Sequence, residues 1–182
     1  MKETSVVMAG FGGQGVMSIG KILAKAAIHE GKEVTWLPSY GPEMRGGTAN
    51  CTVVIADGPI GSPLVKFPDM AIVMNKQSLD KFEPELRPGG LIVVNASLID
   101  RALARRDLVA VHVAANALAE EAGAPRSANI AILGAFMARA GDLVSIAAVE
   151  HALAETFAGK PPSLLEQNLA IFRAGLCAGA PA

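Results

Sequence analysis

Residues 5–38 read SVVMAGFGGQGVMSIGKILAKAAIHEGKEVTWLP, and this stretch decides the fold. Ser5 to Ala9 is a β-rich run that breaks at Gly10, after which Val16, Ile19, Leu23, Ala26 and Ala27 recur at helical spacing between about Gly15 and Glu30. Gly31 stands where a helix C-cap is expected, and Val34 to Leu37 reads as a second strand stopped by Pro38. Strand, tight glycine turn, helix and strand make a βαβ unit. The expected class is therefore α/β, with a Rossmann-like, mostly parallel sheet flanked by helices.

Outward from this unit, Cys51 to Ala56, Ala71 to Met74, Leu91 to Val94 and Leu108 to Val113 read as further strands. Short helices are expected over Ser78 to Leu86 and near Leu98 to Arg105. The C-terminal third is expected to be helical, over Ala115 to Ala122, Asn129 to Ala140, Ile146 to Phe157 and Leu164 to Leu176. In the third of these, Ile146, Val149, Leu153 and Phe157 fall on one face. Asn129 reads as an N-cap or helix-start residue, and the tail from Ala178 to Ala182 is expected to fray. No repeat, low-complexity linker or block of like charge divides the chain, so residues 1–182 are expected to form a single domain.

The chain has 182 residues, 51 % of them hydrophobic but only 4 % aromatic, so the core must be aliphatic. Sixteen Lys and Arg against seventeen Asp and Glu leave a net charge of −1, without the basic surplus that drives binding to a phosphate backbone. Nucleic acid is not an expected partner. Apolar stretches such as Ile130 to Ala138 fall short of the roughly 20 residues that span a bilayer. Met1 to Thr4 lead into the first strand without a signal peptide's cleavage region, so a soluble, cytoplasmic protein away from membranes is expected. Cys51 and Cys177 are too few for a usual iron-sulfur cluster or structural zinc site.

GFGGQG at Gly10 to Gly15 matches G-x-G-x-x-G directly after a strand and before a helix. Such glycines permit positive φ, let a ligand approach the backbone, and leave helix N-terminal amides free for an anion. The same residues also serve a purely structural turn. A dinucleotide site needs an acidic residue at the end of the second strand to grip a ribose, and Pro38-Ser39 stand there instead. Glu30 and Glu33 lie at the helix end and the strand start. A stand-alone NAD(P)-binding oxidoreductase is therefore the alternative reading. Val16 and Met17 occupy the positions where a P-loop requires Lys and Ser or Thr. Ser18 lacks the first glycine of a nucleophile elbow, and Cys51 reads as a small core residue. His29, His112 and His151 are dispersed without paired metal-ligand spacing, so no metal site is expected.

The second unusual segment, SYGPEMRGG at Ser39 to Gly47, is a loop by its turn chemistry. Arg45 offers a bidentate contact to a carboxylate or phosphate, Glu43 an anchor for it, and Tyr40 an aromatic face with a polar tip. A rigid surface loop with an exposed Glu-Arg pair is the plainer reading.

AGFGGQG at Ala9 to Gly15, SYGPEMRGG at Ser39 to Gly47, the turn at Gly61-Ser62-Pro63 and NIAILGA at Asn129 to Ala135 together resemble the gamma subunit or domain of 2-oxoacid:ferredoxin oxidoreductases. The resemblance covers nearly the whole chain in order and spacing, and is nearer to the 2-oxoglutarate and branched-chain oxoacid types than to the pyruvate type. It implies one subunit of a hetero-oligomeric oxidoreductase that converts a 2-oxo acid, 2-oxoglutarate in the first instance, to acyl-CoA and CO2 while reducing ferredoxin. Thiamine diphosphate and magnesium belong to alpha and beta subunits and iron-sulfur clusters to partners including a ferredoxin-like delta subunit. The chain itself then holds no cofactor, carries no catalytic residue, and helps to position coenzyme A as co-substrate. Carried over by resemblance, Gly10, Gly12, Gly13, Gln14 and Gly15 form the anion-cradling turn. Tyr40, Gly41, Pro42, Glu43, Arg45, Gly46 and Gly47 form the loop that faces the active-site partner.

Overall fold

The computed structural model describes residues 2–40 and 47–181. Six strands, β1 (Glu3–Phe11), β2 (Glu33–Tyr40), β3 (Thr48–Ala56), β4 (Met70–Val73), β5 (Leu91–Asn95) and β6 (Val109–Val113), form one sheet in the order β2-β3-β1-β4-β5-β6. β1, β4, β5 and β6 pair in parallel, and β3 pairs antiparallel with both β1 and β2. Only β3 therefore runs against the rest, and the sheet is mostly parallel. Met8 sits opposite Cys51 of β3 on one side and Ile72 of β4 on the other.

Both faces of the sheet are covered, which is why β1 reads as an unbroken aliphatic run instead of an alternating one. Val6 and Met8 face the larger core with α1 (Val16–His29), α3 (Ala115–Glu121), α4 (Ala128–Met137), α5 (Ile146–Thr156) and α6 (Pro162–Gly179). Val7 and Ala9 face a smaller core with Leu79 and Phe82 of α2 (Lys76–Phe82) and with Leu86 and Ile99. All ten residues of α4 are buried, as expected of a helix that is apolar all round. α4 lies so close to α6 that glycine is the only residue with room at several contacts. A Cβ on Gly175 would fall on the carbonyl oxygen of Ala131, and one on Gly134 on that of Phe172.

Four local expectations are corrected. β2 continues through Pro38 to Tyr40, because it is the outer strand, where a missing N–H costs no ladder bond. No helix forms over Leu98 to Arg105. The Ser97 amide donates to Oδ1 of Asn95 (3.3 Å), the Arg105 amide donates to Oε1 of buried Glu83 (2.9 Å), and Arg101 Nη2 meets Oε2 of Glu83 at 2.8 Å. The Arg105 amide, which a helix here would need for its ladder, is thus spent on a side-chain acceptor, and the Arg101 guanidinium ties the segment to the same carboxylate. α6 runs to Gly179, which packs against Ala135, so the chain does not fray at Ala178. Ile146, at the first position of α5, is exposed, while Val149 and Leu153 are fully buried.

Candidate functional site

The strand directions place the glycine turn and the two described ends of the second loop, Tyr40 and Gly47, at one edge of the sheet. β1 ends at Phe11, β4 at Val73 and β5 at Asn95, while β2 ends and β3 begins beside them, with Tyr40 opposite Ala49 and Phe11 opposite Thr48. The Gly12 amide donates to the carbonyl of Gly47 at 3.0 Å, joining the glycine turn to the end of the second loop. Gly41, Pro42, Glu43, Arg45 and Gly46 lie outside the described residues; Tyr40 and Gly47, which flank them, both stand at this edge.

Within the turn the residues divide the work. Gln14 is a strut: its Oε1 accepts from the Phe11 amide (2.6 Å) and its Nε2 donates to the Met74 carbonyl (3.4 Å). Gly10 admits that strut, since a Cβ there would lie 2.6 Å from Gln14 Oε1 and 2.9 Å from Met74 Cβ. Gly15 has φ 76° and opens α1. Gly13, with φ 97° and open space around it, is the exposed crest of the turn. The amides of Gly13 and Gly15 donate to no backbone acceptor among the described residues, and those of Val16 and Met17 are the free donors of the first helical turn. Four N–H groups and the positive end of a 14-residue helix therefore favour an anion here.

Two clefts flank Gly13. One, of about 300 Å³, is lined by Phe11, Gly12, Met17, Ser18, Tyr40 and Ala49 among others. The other, of about 400 Å³, is lined by Gln14, Met74, Asn116, Pro125, Arg126 and Ala128. Arg126 is the one cation lining either cleft among the described residues, and no carboxylate, histidine or cysteine lines them. Such walls can bind and orient an anionic ligand, and Ser18 and Tyr40 supply hydroxyls to the first cleft.

Several contributors escaped the sequence reading. Asn129 stands at the start of α4, as one of its two readings had it, but does not cap it: Ser127 precedes the helix, and Asn129 Nδ2 donates to the Gly15 carbonyl at 3.2 Å, so α4 buttresses the turn. Asn75 lies just past β4 and Asn95 ends β5, in VMN and VVN, and that shared pattern was a usable signal. Asn95 Nδ2 donates to Oδ1 of Asn116 (2.8 Å), while Oδ1 of Asn75 caps α2 through the Ser78 amide (2.8 Å). Arg126, in the short 3-10 turn Pro125–Ser127, had no local signature. The histidines are dispersed only along the chain, since His29 and His151 meet in space; His151 and Glu155, four apart on one helix, were the overlooked spacing.

Cys51 lies fully buried beneath α1, its Sγ 3.5 Å from the Val16 carbonyl, and burial pushes its thiol up to about 12. It is a core residue, as expected. Cys177 is exposed. At about pH 8, an aromatic disulfide reagent is expected to titrate Cys177 rapidly and Cys51 only after unfolding. Two fast thiols in the folded protein would contradict this packing.

Nor does the edge suit a dinucleotide. In a Rossmann site the second strand adjoins the first, whereas here β3 separates them and carries the end of β2 about 10 Å away. Glu33 stands at the opposite end of β2, as expected.

The family described as pyruvate ferredoxin/flavodoxin oxidoreductase matches residues 5–178. The chain belongs to this family. It is 35 % identical over 171 residues to the 2-oxoglutarate synthase subunit KorC of Methanocaldococcus jannaschii, covering 92 % of this chain and 89 % of that one. The ketoisovalerate oxidoreductase subunit VorA of Methanothermobacter marburgensis is 41 % identical over 174 residues, covering 96 % of this chain; the chain spans 36 % of that relative's length. The gamma subunit of keto/oxoacid ferredoxin oxidoreductase from Geobacter sulfurreducens superposes with a TM-score of 0.85 at 29 % identity, over 98 % of this chain and 97 % of that one. The α/β fold with a helical C-terminal third is thus that of an oxidoreductase gamma subunit. Among the described residues of this family member, no helix is long and apolar enough to cross a membrane.

Proposed function

We propose that the chain is one folding unit serving as the gamma subunit of a cytoplasmic, CoA-dependent 2-oxoacid:ferredoxin oxidoreductase. Its partners are alpha and beta subunits that bind thiamine diphosphate and magnesium, and a ferredoxin-like delta subunit with iron-sulfur clusters. The oxo acid is 2-oxoglutarate or a branched-chain 2-oxo acid, the classes that its relatives' names carry. The thiamine cofactor, when bound in the partner subunits, supplies the chemistry at the reacting carbon.

This chain's residues bind and orient. Amides of Gly13, Gly15, Val16 and Met17 hold phosphate oxygens of coenzyme A, with Arg126 beside them and Arg45 contributed by the second loop. Gly10, Gly12 and Gln14 hold the turn in shape, and Tyr40, Gly41, Pro42, Glu43, Gly46 and Gly47 form the wall toward the partner subunits. Fixing the anionic end of the ligand in this way lowers the cost of bringing its thiol to the acylated intermediate. The observation that carries the reading is the bond from Gly12 to Gly47, which makes one site of two separate motifs.

A matched pair of substitutions at the crest tests it. Asn and Asp both tolerate a left-handed backbone, and Gly13 has open space, so the two variants differ chiefly in charge. In the complex co-purified with its thiamine-binding partners, Gly13→Asp is expected to raise the KM for CoA about tenfold over Gly13→Asn. The kcat at saturating CoA and the subunit composition stay the same. Equal KM values for the two variants would remove the turn from the CoA site.

A further inference from the structure

His29 closes α1, and His151 and Glu155 stand one turn apart on α5, which packs against α1. Nε2 of His29 lies 3.3 Å, and Nε2 of His151 3.7 Å, from one and the same oxygen, Oε1 of Glu155. All three ligand atoms lie within 4.8 Å of one another. The imidazoles meet edge to face, with centroids 4.6 Å apart, so packing of the two helices already orders them. Lys25 Nζ faces the other carboxylate oxygen at 3.6 Å, leaving Oε1 turned to the histidines.

Ligands held about 2.0–2.2 Å from one ion in a tetrahedral array stand about 3.3 Å from each other, close to the 3.3 and 3.7 Å from the two imidazoles to Oε1 of Glu155, and the third pair lies within 4.8 Å. We propose that His29, His151 and Glu155 form a binding site for a borderline divalent transition-metal ion, exemplified by zinc, with water completing its coordination. Two imidazole nitrogens suit such an ion, whereas calcium and magnesium take oxygen ligands. The bound ion clamps the C-terminal end of α1 to α5. α1 is about 20 Å long and the glycine turn lies at its other end, so this site stands independently of the CoA reading.

The full chain without an affinity tag, titrated calorimetrically with zinc, tests the site. One equivalent is expected to bind with a micromolar dissociation constant and to raise the melting temperature, and cobalt is expected to give a visible d–d band. His29→Gln and His151→Gln are each expected to weaken zinc at least about tenfold and to abolish the band. Cys177→Ser is expected to change neither. Both histidine side chains are partly solvent-exposed, so circular dichroism of the variants should match the parent. Absence of saturable binding, or binding in the histidine variants equal to the parent, would overturn the assignment.

Discussion

Gly175→Ala in α6 is expected to lower the melting temperature by about 10 °C. Helix propensity alone predicts the opposite sign, since alanine is better than glycine by about 1 kcal/mol in a helix interior. The obstacle is the backbone of α4: a Cβ at this position would land on the Ala131 carbonyl oxygen and 2.9 Å from its carbon. Gly134 makes the reciprocal contact, with a Cβ there 2.9 Å from the Leu176 amide nitrogen. Neither obstacle can rotate aside, so the helices must part, loosening fully buried Leu133, Ile171 and Phe172. A loss of about 3–5 kcal/mol is a large share of a typical domain's stability of about 5–15 kcal/mol. Differential scanning calorimetry decides the sign, and an unchanged or higher melting temperature would mean that the two helices do not approach this closely.

The second large effect is expected at Gly15. There, alanine adopts a left-handed backbone at φ 76°, at a cost of about 1–2 kcal/mol. Its Cβ would also stand 2.8 Å from Cγ of Asn129, forcing that side chain off the Gly15 carbonyl it serves. Gly15→Ala is therefore expected to cost about 2–4 kcal/mol and to raise the KM for CoA in the assembled complex. Removing the obstacle should return part of the loss, so Gly15→Ala with Asn129→Ala is expected to be less damaging than the sum of the single changes. Strict additivity in a double-mutant cycle would show that Asn129 does not press on the turn.

The parts legible in the sequence are those set by local pattern. The aliphatic run of β1, the break at Gly10 and the helical spacing from Val16 to Ala27 are written within one βαβ unit. Strand order is a long-range property, and nothing near Cys51 announces that β3 inserts antiparallel between β1 and β2. Pro38 misled because its meaning depends on whether its strand is at the sheet edge. Segment 98–105 misled because buried Glu83, some twenty residues earlier, captures the donors of Arg101 and Arg105. The site divides in the same way. The glycines were visible as a motif, but Asn129 and Arg126 reach it from α4 and the turn before it, more than 100 residues away.

The reversed strand β3 has a consequence for how the edge comes apart. β2 and β3 are consecutive strands that pair with each other, and they hold to the rest of the sheet through β1. Both strands also pack under α1, so an opening of this side of the sheet, the flap, takes the two strands together with their contacts to that helix. Lifting it breaks the bond from Gly12 to Gly47 and removes Tyr40 and Ala49 from the cleft beside the glycine turn. A ligand held in that cleft must leave before the flap opens, so each added increment of occupancy slows hydrogen exchange along β2 and β3. Ligand binding and the integrity of this half of the sheet are one equilibrium.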